Sequence, residues 1–307
     1  MSIRFVPGLE QGTSFEGNIE INESDVSTYI FCAGKEMPKV SREEISDFGD
    51  EGFLLQNVFT AEECEEIIAN GEKIGFQTII GVKDDYRSCK RITLQSQSLA
   101  DALWLRIKDH VTDIVIEGDP HLQHIHGSPM LMKGTWTPVG LNNIFRLCRY
   151  LPGGHFAPHF DGHFDRSANE RSLKTFMVYL NGSFEGGATN FVDDRQQLYK
   201  DESTGKYCAE EKNILCSIKP EAGLAIIFNH FRLHEGEQLK SGQKYILRTD
   251  VMYKNVDQNL SEDFVIAVGL LQRAETLELR ANGGECLQAA EMYRKAFKLA
   301  PELEKVT

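Results

Sequence analysis

The sequence predicts a mainly β fold with supporting helices, an α+β protein whose core is a jelly roll. Three observations predict it. Two amphipathic helical patterns lie in the first third, a run of short strand-like segments fills residues 142–253, and helical spacing returns after Tyr253. Many short strands between Gly-, Asn- and Asp-bearing connections pack as two facing sheets, and the flanking helices buttress them.

The elements follow in order. Residues 1–48 carry no sustained period and read as an extension of unknown role, closed by the acidic, Gly-flanked stretch 47–52. Residues 53–59 form an apolar run typical of a buried strand. Thr60 with Glu63 three residues later makes a capping box, and Cys64, Ile67, Ile68, Gly71 and Ile74 then fall on one helical face. Leu99, Leu103, Ile107, Val111 and Ile114 predict a second helix. Strands are expected at 144–150, 175–180, 188–192, 224–229 and 244–253, from their β-branched and aromatic content. Residues 271–303 predict two helices broken at Asn282-Gly283-Gly284, the second of which resembles the second helix of a tetratricopeptide repeat. A single such unit cannot bury its own face. A helical hairpin packed on the main domain is the simpler expectation, and a surface for a protein partner the alternative. The expected domains are therefore 1–48, 49–255 with a barrel core of about 142–255, and 256–307.

The 307 residues carry a formal net charge of −13, which repels nucleic-acid phosphates and anionic lipid surfaces. Such contacts would need a local basic patch, and no run of Lys and Arg supplies one. No stretch reaches the roughly 18 uninterrupted apolar residues of a membrane helix, and Met1-Ser2-Ile3-Arg4-Phe5 lacks an apolar signal region. Seven cysteines with no CxxC pair argue against a disulfide framework or a thiolate zinc site. A cytoplasmic protein is expected from these features, with the nucleus as an alternative.

Pro158-His159-Phe160-Asp161-Gly162 is the segment richest in chemistry. Residues two apart on a strand point to the same side, so His159 and Asp161 can grip one ion. A third ligand must come from a distant strand, and His234 follows the apolar strand 224–229. Two histidines and a carboxylate leave open positions on an octahedral metal, the arrangement of non-haem iron oxygenases. His163-Phe164-Asp165 repeats the spacing, but the polar residues after Gly162 suggest that the strand has ended, and His230 rivals His234. Both rivals are expected to be solvated or core-edge side chains. A metal with open positions accepts a bidentate oxo-acid, whose far carboxylate needs a cation. Lys244 and Arg248 share one face of a strand, and either is placed to anchor it. Tyr150 and Tyr179 lie in flanking strands where a phenol can donate to a carboxylate.

These residues resemble the prolyl 4-hydroxylase-type family of iron and 2-oxoglutarate-dependent dioxygenases. The likeness is carried by residues 140–150, Pro152-Gly153, 158–162, Tyr179-Leu180-Asn181, 186–191, 220–228, His234-Glu235-Gly236 and 242–245, in order, with His234 following Asp161 by 73 residues. It covers about residues 53–253. The resemblance implies a double-stranded β-helix with His159, Asp161 and His234 as Fe(II) ligands and catalytic residues. It also implies Lys244, assisted or replaced by Arg248, as the anchor for 2-oxoglutarate, with Tyr150, Tyr179 and Thr189 lining the same pocket. The implied reaction consumes 2-oxoglutarate and O2, releases succinate and CO2, and hydroxylates a substrate, with a prolyl residue in a protein as first expectation and a small molecule as alternative. Ascorbate is the implied reductant. Asp161 argues against halogenation, which in this superfamily uses a small residue there. The competing readings are a related jelly roll holding a redox-inert metal, and an inactive scaffold that recruits a partner through its helical tail. Residues 193–213 are expected to be either a mobile lid or a solvated hairpin connection.

Overall fold

A computed structural model describes residues 2–4, 20–22, 38–46, 48–79, 81–122, 125, 132–167, 169–257, 261–280 and 283–305. The chain divides into two compact units. The first comprises Met1–Val111, Gly140–Gly162 and Lys174–Val251. Its larger sheet runs in the order β1 (Ser41–Glu44), β2 (Gly52–Gln56), β10 (Ala225–Asn229), β7 (Glu170–Tyr179), β12 (Lys244–Asn255), β5 (Ile144–Tyr150), β4 (Lys90–Gln95) and β3 (Gln77–Thr78). Its smaller sheet runs β6 (Phe156–His159), β11 (His234–Gly236), β8 (Thr189–Val192) and β9 (Ile214–Ile218). The strands described in register pair antiparallel, so alternate residues of each sheet turn inward. Cys148, Met177, Ile226, Phe228 and Ile246 of the larger sheet meet Phe191 and Ile218 of the smaller in one apolar core. Phe191 sets its ring edge-on to Phe228 at 5.2 Å. This is the expected jelly roll.

The expected strands form, with shifted ends. Residues 175–180 lie at the end of a longer strand, Glu170–Tyr179, and 244–253 extends to Asn255. Charged residues at the start of the former mask its alternation, and Lys174 is accommodated in the interior by donating to the Asn229 side-chain oxygen at 2.6 Å. Ser41–Glu44, within the expected extension, adds the outermost strand beside β2.

Helix α1 (Ala61–Ile74) opens on the expected capping box: the Thr60 hydroxyl accepts from the Glu63 amide at 3.2 Å and the Glu63 carboxylate from the Thr60 amide at 2.9 Å. It packs closely on β5, because a side chain at Gly71 would meet Leu147 at 2.7 Å. Helix α2 (Gln97–Ile107) is capped by Ser96, whose hydroxyl accepts from the Leu99 amide. The predicted second helix is too long. It tightens into a 3-10 turn at Lys108–His110, Val111 is extended, and Ile114 begins the strand Ile114–Ile116. The β-branched residues of 111–116 carry the stronger preference for a strand.

The second unit comprises Thr112–Val139, His163–Leu173 and Met252–Thr307. Ile114–Ile116 pairs there with the start of Gly134–Leu141. Helices α3 (Glu262–Arg280) and α4 (Gly283–Leu299) share an apolar cluster that includes Ala267, Leu271, Ala296 and Leu303. The first of these helices starts before the predicted Leu271, and Asn282 of the predicted break lies outside the described residues. No helix among the described residues is long and apolar enough to cross a membrane.

Candidate metal centre and its cavity

β6 ends at His159 and β11 begins at His234, and the two residues are direct cross-strand partners. Neighbouring strands lie about 4.8 Å apart, and the imidazole centroids stand 4.3 Å apart. Asp161 follows β6, held by its amide donating to the His230 carbonyl at 3.0 Å. The ligand atoms of His159, Asp161 and His234 all lie within 4.8 Å of one another. The predicted triad is thus assembled, and no other such cluster occurs among the described residues.

The surroundings fix which atoms face inward. The Nδ1 of His159 lies 2.7 Å from the Ala157 carbonyl, and that of His234 lies 2.9 Å from the Arg232 carbonyl. Each carbonyl takes a proton on Nδ1 and leaves the Nε2 lone pair to face the carboxylate, at 3.6 Å for His159 and 3.7 Å for His234. Burial and the neighbouring His159 push the His234 imidazole down to about 3, so it stays neutral. Burial would raise Asp161, but Arg248, His234 and His159 hold it well below the usual carboxylate range. Arg248 reaches Asp161 Oδ1 at 2.9 Å, and the Thr175 hydroxyl donates to Oδ2 at 2.6 Å. Two imidazoles presenting Nε2 and one ionised carboxylate, each oriented by a second partner, suit a divalent first-row ion such as Fe(II).

A cavity between the sheets joins this triad to the cationic end. Its lining includes Tyr150, Thr189, Lys244 and Arg248 together with the triad. Lys244 is the cross-strand partner of Tyr150 and is 3 % exposed. Its ammonium donates to the Gly187 carbonyl at 2.6 Å and lies 5.3 Å and 5.5 Å from the ring centroids of Tyr150 and Tyr179. Among the described residues no carboxylate forms an ion pair with it, and burial brings it down to about 8. Gly187 has φ +71° and would bring a Cβ within 3.3 Å of the Lys244 side chain, so the cradle suits glycine. The Tyr179 hydroxyl donates to Thr189 Oγ1 at 2.6 Å, behind the cavity wall. Burial raises the pKa of both Tyr150 and Tyr179, so both phenols keep their protons.

The rival motifs sit elsewhere. His163 pairs with Asp165 at 3.1 Å in the second unit, with its side chain 40 % exposed. His230 is buried, with Nδ1 3.0 Å from the Thr175 hydroxyl. Sequence reasoning missed Thr175, whose apolar neighbours Phe176, Met177 and Val178 make it look like any buried strand residue. It also missed Arg87, which lies over the Phe156 ring, and Phe156, stacked 3.5 Å from His159. Residues 193–213 carry the antiparallel pair Lys200–Asp201 and Lys206–Tyr207. That segment is tied to the barrel by the Lys200–Asp85 ion pair at 2.8 Å and by the Ala209 amide on Glu235.

A β-sandwich thus encloses a His-Asp-His triad and a buried ammonium, with no carboxylate paired to it among the described residues, in one cavity. Residues 145–249 match the family model described as the 2OG-Fe(II) oxygenase superfamily. A probable prolyl 4-hydroxylase 6 of Arabidopsis thaliana is 30% identical over 109 residues, covering 34% of this chain and 36% of that protein. This chain therefore spans about a third of that relative's length. Among solved structures, the viral collagen prolyl hydroxylase of Paramecium Bursaria Chlorella virus-1 in its 2OG complex is 20% identical, with 68% of this chain and 99% of that chain covered and a TM-score of 0.40. A Pseudomonas putida prolyl-4-hydroxylase is 12% identical over 74% of this chain and 97% of that chain, with a TM-score of 0.39.

Proposed function

We propose that this protein is an Fe(II)- and 2-oxoglutarate-dependent dioxygenase that hydroxylates its substrate, with a prolyl residue in a protein as the favoured target. The observation that carries this reading is the pairing, in one cavity, of the His159–Asp161–His234 triad with the counter-ion-free ammonium of Lys244. An ammonium buried without an anion is costly unless a ligand supplies one. A dicarboxylic oxo-acid spanning from triad to lysine satisfies both ends.

In this reading His159, Asp161 and His234 hold the iron. When bound, iron supplies oxygen activation coupled to decarboxylation of the oxo-acid to succinate and CO2. Lys244 receives the far carboxylate, and Tyr150 places its phenol beside it. Tyr179 and Thr189 hold the wall of that subsite through their shared hydrogen bond. Arg248 and Thr175 keep Asp161 ionised and oriented. The apolar floor of Phe228 and Ile246 excludes water from the reacting centre. We further assign ascorbate as the supporting reductant, the cytoplasm as the setting, consistent with the unpaired Cys64, Cys89, Cys148, Cys208 and Cys216, and the α3–α4 pair as a surface for a protein partner.

The test is succinate release from 2-oxoglutarate by the purified chain with Fe(II) under air, with and without proline-rich peptides. Iron-dependent succinate that vanishes in His159→Ala is expected. Equal succinate in both proteins, or none from wild type, would refute the assignment.

A further inference from the structure

A second opening adjoins the metal cavity. It is a cleft of about 450 Å3 bounded by Arg87, Lys90, Arg149, Lys206 and Asp84. Four cations face one carboxylate, in a chain whose net charge is −13. The cations come from three separate stretches, which is why no basic run marks them in the sequence.

These cations differ in how they are compensated. Arg149 is neutralised by Glu72, at 2.9 Å and 2.8 Å from the two carboxylate oxygens. Lys90 is exposed at the start of β4, directly opposite Arg149 in the strand register. Like charges facing each other across a strand pair repel. Lys206 donates to the Gly153 carbonyl, a neutral partner. Arg87 donates to Cys89 Sγ at 3.2 Å and Cys148 Sγ at 3.8 Å, and no carboxylate forms an ion pair with it among the described residues. The hydrogen bond from Cys148 and the neighbouring Arg87 draw the Cys89 thiol down to about 5, so one edge of the guanidinium faces a negative sulfur, while no carboxylate among the described residues meets it where it lines the cleft.

Arg87 also connects the cleft to the chemistry. It borders both openings, its Cζ lies 4.2 Å from the Phe156 ring centroid, and Phe156 stacks on the imidazole of His159 at 3.5 Å. Guanidinium, phenyl ring and metal-ligand imidazole form one continuous stack. An anion held at Arg87 therefore stands one aromatic layer from the iron ligand.

We infer that the substrate of this oxygenase is an acidic polypeptide segment, seated in the Arg87–Lys90–Lys206 cleft with carboxylate side chains flanking the residue that enters the metal cavity. This rests on the dioxygenase reading above and adds the chemical class of its substrate. The exposed Lys90 and the half-buried Lys206 steer an acidic chain and strengthen its encounter at low salt, and the half-buried Arg87 fixes its register by a bidentate contact.

The test uses the full chain and three fluorescent probes: a Glu-Pro repeat peptide, a Gln-Pro repeat and a Lys-Pro repeat of equal length. Fluorescence polarisation gives affinities and succinate release gives stimulation. The Glu-Pro peptide is expected to bind about tenfold or more tightly than the Gln-Pro peptide at low ionic strength, with that advantage shrinking as salt rises. Lys90→Glu and Arg87→Gln should each weaken Glu-Pro binding by about tenfold, whereas Lys108→Glu, an exposed lysine outside the cleft lining, should not. Equal binding of the three peptides, or unchanged affinity in Lys90→Glu, would overturn the inference. So would a raised half-saturating 2-oxoglutarate concentration in Arg87→Gln with intact peptide binding, which would assign the guanidinium to the co-substrate. Polarisation needs no turnover, so wild type without succinate would break the dioxygenase reading alone. Succinate stimulated equally by all three peptides would break only the acidic-substrate inference.

Discussion

The two ends of the cavity are built on opposite principles. At the triad, each side chain is oriented by protein partners: both Nδ1 atoms face carbonyls, the Asp161 carboxylate takes a guanidinium and a hydroxyl, and its own amide donates to the His230 carbonyl. At the other end, Lys244 meets one carbonyl and two aromatic faces, with no anion in ion-pair reach among the described residues. The first arrangement is preorganised and stable before any ligand arrives. The second is a desolvated charge that the fold tolerates and that a ligand relieves. On the proposed function, such a site commits stability to orienting its metal ligands and keeps its electrostatic strain at the end assigned to the co-substrate.

Substitutions on either side should therefore separate stability from binding. The largest effect is expected at the satisfied end. Arg248→Met leaves the carboxylate of Asp161 buried without its cation, so thermal or denaturant unfolding should show a loss of about 3 kcal/mol. Iron affinity, followed by anaerobic competition with a chelator, should fall roughly 10- to 100-fold. Lys244→Met should do the reverse. It replaces an uncompensated ammonium with an apolar side chain, so stability is kept or increased, while the half-saturating 2-oxoglutarate concentration rises roughly 10- to 100-fold, the worth of a hydrogen bond to a charged group.

The pH profile sharpens the same contrast. Lys244 is brought down to about 8, so its charge is present below that pH and lost above it. The half-saturating 2-oxoglutarate concentration of wild type should climb as pH passes from 7 to 9, and Lys244→Met should lose that climb while keeping the rest of its profile. The smallest effect belongs to Thr175→Val, which removes one hydroxyl from Asp161. Iron affinity should drop severalfold, corresponding to about 1 kcal/mol, with 2-oxoglutarate dependence unchanged in the iron-saturated protein.

Much of this was legible in the sequence for physical reasons. The Thr60–Glu63 box, the apolar strand 224–229 and the His-x-Asp spacing are local signals, and local geometry enforces them. Lys244 and Arg248 share a face because the strand period is two, yet the period is silent about depth along the cavity. Four residues of strand carry Arg248 about 13 Å beyond Lys244, to the Asp161 end, where it forms an ion pair at 2.9 Å. Thr175 and Arg87 were hidden because the partners that give them meaning are distant in the chain, Asp161 14 residues from Thr175 and Cys148 61 residues from Arg87. The overrun of the second helix through Ile114 shows the opposite failure: three- and four-residue spacing continued past Ile107 while β-branched residues had already changed the local preference.

The most direct test of the two-ended cavity is calorimetric titration of 2-oxoglutarate into the anaerobic protein, with and without Fe(II). One binding site that requires iron, disappears in Asp161→Ala and weakens in Lys244→Met is the predicted result. Binding that is indifferent to iron, or to the charge at residue 244, would contradict the account.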